Sequence, residues 1–152
     1  MPELRIEVPI AVPAERAFAA MTDFANAPQR ISGIKRVELL TDGPPRVGTR
    51  FRETRVMFGR EATETMEVTR FDSGRSYELS AMSCGTLFRS EIRVDPAGPS
   101  SCDLTMTFLA TPQTVLAKIF ALLFRGMMKS CERAMRQDME EMKRSLESES
   151  GA

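Results

Sequence analysis

After Pro112 the sequence carries no further proline, and from there to Leu146 its apolar residues recur at helical spacing, so the fold must accommodate one long C-terminal helix. Thr111 and Pro112 supply a capping residue and a first-turn proline. At a rise of about 1.5 Å per residue such a helix reaches roughly 50 Å, more than a typical globular helix needs, so other elements must wrap around it. In its second half Phe124, Met128, Cys131, Met135, Met139, Met142 and Leu146 form one stripe, and Glu132, Arg136, Glu140 and Arg144 form another. In its first half Val115, Leu116, Ile119, Phe120, Leu122, Leu123, Phe124, Met127 and Met128 leave only Lys118, Arg125 and Lys129 as charged interruptions. A membrane span needs about 20 uninterrupted apolar residues, so this half is expected to be buried in protein. It either packs as core or lines a cavity for an apolar ligand.

Leu4, Ile6, Val8 and Ile10 alternate with polar residues as in a half-buried strand. Two short helices follow, one opened by Pro13 and running from Ala14 to Met21, the other over Asp23 to Arg30. Lys35 to Leu40 reads as the second strand, before the loop Thr41-Asp42-Gly43-Pro44-Pro45. Beyond Gly48, turn chemistry sets the register of successive hairpins. A turn at Phe58-Gly59 places Met57 against Arg60, Arg55 against Ala62, Glu53 against Glu64, Phe51 against Met66 and Thr49 against Val68. A turn at Ser73-Gly74 places Val68 against Leu79 and Arg70 against Tyr77, and one at Cys84-Gly85 places Ala81 against Phe88, Leu79 against Ser90 and Tyr77 against Ile92. The loop from Asp95 to Ser101 then brings Ile92, Ser90 and Phe88 to Leu104, Met106 and Phe108. All four connections agree on one inner, mostly apolar face, and such agreement between local and global pattern favours a single fold. Glu53, Arg55, Glu64, Arg70, Tyr77 and Ser90 interrupt this face. Glu53, Arg55 and Glu64, with Arg60, belong either to a wet hairpin tip or to a polar cluster at a cavity mouth, and Arg70 lies toward the other end of the face.

Composition narrows the chemistry. Lysine plus arginine equals aspartate plus glutamate at 21 each, so the totals make no case for nucleic acid. Histidine is absent, which removes the commonest general base and zinc ligand. Cys84, Cys102 and Cys131 are too widely spaced for a zinc knuckle or a disulfide framework. No metal, no cofactor and no fixed nucleophile are expected. The opening residues Met1-Pro2-Glu3-Leu4-Arg5 lack the apolar stretch of a signal peptide, so a cytoplasmic protein without a transmembrane segment is expected. A single domain over residues 1–148 with a disordered tail at 149–152 is the expected organisation.

The order of strand, two short helices, six strands and long helix resembles the START-related polyketide cyclase/dehydrase-like superfamily (SRPBCC), an α+β helix-grip fold. In that fold a curved antiparallel seven-stranded sheet wraps around the C-terminal helix. Ile10-Ala11-Val12-Pro13-Ala14-Glu15-Arg16-Ala17-Phe18, Gly43-Pro44-Pro45-Arg46-Val47-Gly48-Thr49-Arg50-Phe51 and Met66-Glu67-Val68-Thr69-Arg70-Phe71-Asp72 resemble its scaffold motifs. Ile31 stands where the family usually has an aromatic, and tryptophan is missing, so the family's mouth contacts are not carried over.

The resemblance implies a cavity between sheet and helix, used for lipids, polyketides or other apolar molecules. Its expected lining is Phe51, Met66, Val68, Tyr77, Leu79, Phe88, Ser90, Met106 and Phe108 on the sheet with Phe120, Phe124, Met127 and Met128 on the helix. Three functions stay open. One is a carrier or sensor of an apolar small molecule, consistent with eleven methionines whose side chains adapt to irregular ligands. Another is an aromatase or cyclase using Glu53, Glu64, Tyr77 and Arg70, with Arg55 and Ser90 in reserve. The third is an interaction module that forms a homodimer through the apolar front of the helix.

Overall fold

The computed structural model describes residues 3–57, 59–123, 126 and 128–150. Strand β1 (Glu3–Ile10) leads into α1 (Ala14–Met21), a 3-10 turn (Phe24–Asn26) and the single-turn α2 (Ala27–Arg30). Six strands follow: β2 (Ile34–Leu39), β3 (Arg50–Met57), β4 (Arg60–Asp72), β5 (Ser76–Ser83), β6 (Thr86–Gly98) and β7 (Ser101–Pro112). They form one antiparallel sheet in the order β1-β7-β6-β5-β4-β3-β2.

The β3–β4 pairing is the expected one, with Glu53 against Glu64 and Phe51 against Met66. Phe58, half of the expected turn there, lies outside the described residues. The β5–β6 pairing also matches, with Leu79 against Ser90 and Tyr77 against Ile92. Two registers are corrected. Between β4 and β5 the turn spans Ser73, Gly74 and Arg75, one residue more than expected, and a bulge between Val68 and Arg70 restores the parity. Val68 still meets Leu79, but Phe71 rather than Arg70 meets Tyr77. Arg70 therefore leaves the inner face. Between β6 and β7, Ile92 pairs with Met106 and Ser90 with Phe108, one pair along from expectation.

The C-terminal region differs more. Thr111 and Pro112 end β7 instead of capping a helix. Helix α3 runs from Val115 to Leu123, and Thr114 Oγ1 accepts the Ala117 N–H at 3.1 Å, satisfying one of the donors that a helix start leaves free. Gly126 follows in a 3-10 turn, and α4 runs from Met128 to Ser150, so the expected single helix is described as two. Glycine is the poorest helix former after proline, which places the break where the sequence is weakest. Residues 149 and 150 belong to α4 rather than to the tail.

The closed core lies between α4, β1, the centre of the sheet and the short helices. Ile6, Ile10, Val12, Val68, Val94, Leu104, Met139 and Leu146 are each at most 2% exposed. An aromatic chain seals its other side: Phe24 stacks on Phe51 at 4.5 Å, Tyr77 meets Phe24 and Phe18 edge-on at 5.7 and 6.0 Å, and Phe18 meets Phe71 at 5.6 Å. No helix among the described residues is long and apolar enough to cross a membrane.

Candidate functional site

A row of polar contacts ties α4 to the rest of the fold, and all of them fall from Asp138 onward. Arg55 donates to Asp138 Oδ2 at 2.9 Å, Ser32 to both oxygens of Glu141, Lys143 to the Pro9 carbonyl at 2.7 Å, Arg30 to Ser145 and Glu149, and the Ala11 N–H to Glu147 at 2.8 Å. From Met128 to Gln137 no such tie exists among the described residues. Met135 packs on the core, while Met128 and Cys131 are half-buried. The helix grips the sheet at one end only.

Beyond the core row, the inner face of the sheet lies partly open. Strand alternation carries the core row Ile92, Tyr77, Val68 and Leu104 on to Ser90, Phe88, Leu79, Met66, Met106 and Phe108. These six are half-buried, whereas Phe51, Val68 and Tyr77 are at most 3% exposed. The rings of Phe88 and Phe108 stack at 5.7 Å with 23° between their planes, separate from the aromatic chain of the core. The expected ligand-lining set thus divides: Phe51, Val68 and Tyr77 sit in the closed core, and the other six sheet residues form an apolar floor. Of the expected roof, Phe120 is 49% exposed on α3, Met128 is half-buried, and Phe124 and Met127 lie outside the described residues.

Helix α3 does not cover this floor. Val115, Leu116, Ile119, Leu122 and Leu123 are between 48% and 74% exposed, so the expectation that this apolar stretch is buried is corrected. The helix is docked chiefly by its start. The Gln113 N–H donates to the Gly85 carbonyl at 2.7 Å, and Gly85, at φ +73°, leaves just enough room for Thr114. Ala117 is the buried residue of α3.

The candidate acid–base residues are mostly engaged elsewhere. Tyr77 donates its hydroxyl to the Met21 carbonyl at 3.0 Å, and burial, with the nearby Glu53 carboxylate, pushes the phenol far above its ordinary range. Arg55 bridges Glu53 at 3.0 Å and Asp138 at 2.9 Å. Burial alone would lower its pKa, but the two carboxylates together hold it raised. Burial pushes the Asp138 carboxyl up, and Arg55 offsets this only in part. Asp138 was not a sequence candidate, because on the helix alone it falls beside a solvated stripe; only its place opposite the Arg55 of the third strand marks it.

Arg70, expected inside, stands on the outer face paired with Glu78 at 3.0 Å and Glu91 at 2.8 Å, as the bulge dictates. Glu64 and Ser90 are half-buried on the inner face, and among the described residues neither side chain has a hydrogen bond or ion pair. Among those residues no group of three or more histidine, cysteine, aspartate or glutamate side chains is placed to hold a metal ion.

Comparisons with known proteins agree with this architecture. A family model described as polyketide cyclase / dehydrase and lipid transport matches residues 1–147. Comparison with curated proteins finds no match. Among solved structures, the Thermus thermophilus protein TTHA0849 superposes with a TM-score of 0.80 at 16% identity, covering 98% of this chain and 99% of its own. The Zhui aromatase/cyclase from a Streptomyces species gives 0.76 at 17% identity, covering 96% and 93%. A START superfamily protein from Mycobacterium smegmatis gives 0.65 at 18% identity, covering 89% and 97%. At these identities the likeness speaks for the fold alone.

Proposed function

The chain belongs to the polyketide cyclase / dehydrase and lipid transport family, and from that premise we propose that it binds an apolar small molecule, lipid- or polyketide-like, on the floor between the sheet and the untied end of α4. The observation that carries this reading is the Phe88–Phe108 stack. These two rings lie on the same face as the sealed core yet remain half-exposed, and with Met66, Leu79 and Met106 they offer an apolar surface that the half-buried Glu64 and Ser90 border. Apolar side chains with a few polar groups are the usual lining of small-molecule sites, and methionine adapts to irregular ligands. Carriage or sensing fits this surface better than acid–base catalysis, since Tyr77, Arg55 and Arg70 are held by other partners.

A cyclase or aromatase reading rests on Glu64 and Ser90, whose side chains are free to meet a substrate. Native mass spectrometry of protein purified from its own host tests the main reading, with an apolar adduct as the expected result. Absence of an adduct together with no uptake of an apolar fluorescent probe overturns it. Turnover of a polyketide-type substrate that is lost in Glu64→Gln, with folding intact, favours the enzyme instead.

A further inference from the structure

Helix α3 is amphipathic in reverse. With about 100° between successive residues, Val115, Leu116, Ile119, Leu122 and Leu123 fall within roughly 120° of one another, on the side opposite Ala117. The small side chain of Ala117 faces the protein at 5% exposure, and the five large aliphatic ones face solvent at 48% to 74%. A contiguous apolar surface of this kind marks a docking site.

Charge selects the occupant. From Leu104 to Cys131 the sequence holds Lys118, Arg125 and Lys129 and neither aspartate nor glutamate, although cations and anions balance at 21 each over the whole chain. Lys118 and Lys129 are exposed. A second copy of this chain laid on the same face would oppose like charges, with no anion in the segment to relieve them. A lipid surface bearing anionic headgroups relieves both features at once: acyl chains accept the aliphatic stripe, and the headgroups accept cations that extend past it on flexible stems.

We propose that the outward face of α3 is a membrane-surface docking element that seats in the headgroup boundary of an anionic bilayer. Its anchorage suits the task. The helix is fixed at its start by the Gln113–Gly85 hydrogen bond and the Thr114 contact, and among the described residues the part of α4 before Asp138 has no polar tie to the fold. The stripe is therefore open to solvent while the side chains of the core stay buried. This reading does not depend on ligand uptake in the cleft, so either can fail alone.

The test is flotation of the full chain with vesicles of phosphatidylcholine containing phosphatidylglycerol, against vesicles of phosphatidylcholine alone. Binding is expected to the anionic vesicles, to weaken with added salt, and to fall about tenfold or more in the Ile119→Glu/Leu123→Glu double variant, which places two charges in the inserted stripe. Lys118→Gln should weaken it less. Because all three side chains are solvent-exposed, the melting temperature of each variant should stay that of the wild type, and a vesicle loss accompanied by a lowered melting temperature counts against the proposal. Equal binding to both vesicle types, or none, overturns it. So does a wild-type dimer in light scattering that the double variant converts to monomer, which would make the occupant a second copy.

Discussion

The Tyr77 hydroxyl donates to the Met21 carbonyl oxygen at 3.0 Å, joining the start of β5 to the end of α1. Its position on the inner face suggests a proton donor or ligand contact, but the Tyr77 ring is 3% exposed and held edge-on between Phe18 and Phe24. The bond serves the fold. Tyr77→Phe should therefore cost about 1–2 kcal/mol in urea unfolding, the usual cost of leaving one buried partner unsatisfied, with probe uptake unchanged. Loss of uptake at full stability would return Tyr77 to the binding site.

Gly85 tests how α3 is held. A Cβ built there lies 2.7 Å from Thr114 Oγ1 and 3.2 Å from Thr114 Cγ2, and the φ of +73° disfavours any L side chain. Gly85→Ala should cost about 1–2 kcal/mol from backbone strain alone. Hydrogen exchange should also report the damage locally, with faster exchange in residues 115–123 and little change in β1 or the second half of α4. Uniform acceleration across the chain would show that α3 is not a separate unit.

These two residues mark the boundary of what was legible in the sequence. Alternation and turn residues fixed which side chains share the inner face, because a strand's period of two leaves a pattern that turn chemistry can phase. The bulge beside Arg70 left no such pattern. A turn of two or three residues satisfies Gly74 equally, and the parity is repaired in the backbone, so Arg70 stands outside although alternation alone points it inside. The two-residue slip between β6 and β7 was equally silent, since it changes partners without changing faces. The floor of Phe88, Ser90, Met106 and Phe108 could be placed on the inner face but not separated from core, because burial depends on what covers it. The exposure of α3 is hidden from the sequence for the same reason: its hydropathy says that it needs a partner, not where that partner is. Gly126 and the second capping residue, Thr114, are the signs in the sequence of a later start and a break.

Two carboxylates on α4 should give stability profiles of opposite sign. The Glu147 pKa is lowered by its hydrogen bond from Lys143, with help from the Ala11 N–H. Its folded value lies below the ordinary 4.5, so its contribution is complete above that value and is lost as pH falls through the folded one. Asp138 is raised by burial above its ordinary 3.8, so folding disfavours its charge, and stability declines as pH rises from 3.8 through the folded value. Urea midpoints between pH 3 and pH 7 should show Glu147→Gln flattening the acid limb. Asp138→Asn keeps an acceptor for Arg55 and should remove part of the decline on the other side. Identical profiles for both variants would contradict the assigned directions.

Met106 decides whether the floor is a site. Its side chain is half-buried between its ladder partners Ile92 and Ile6, packed against the core on one side and facing the Phe88–Phe108 stack region on the other. An open floor can receive a larger ring there, because the added atoms extend into space that a ligand would otherwise fill. Met106→Trp should then change unfolding free energy by less than about 1 kcal/mol while abolishing uptake of an apolar probe. A floor closed by packing at normal interior density cannot absorb the extra volume, and the same substitution would force off-rotamer neighbours at a cost of about 1–3 kcal/mol. The two measurements on one variant separate the cases: strong destabilisation, in a protein whose wild type takes up no probe, would make these residues core and leave the proposed site without a place in the fold.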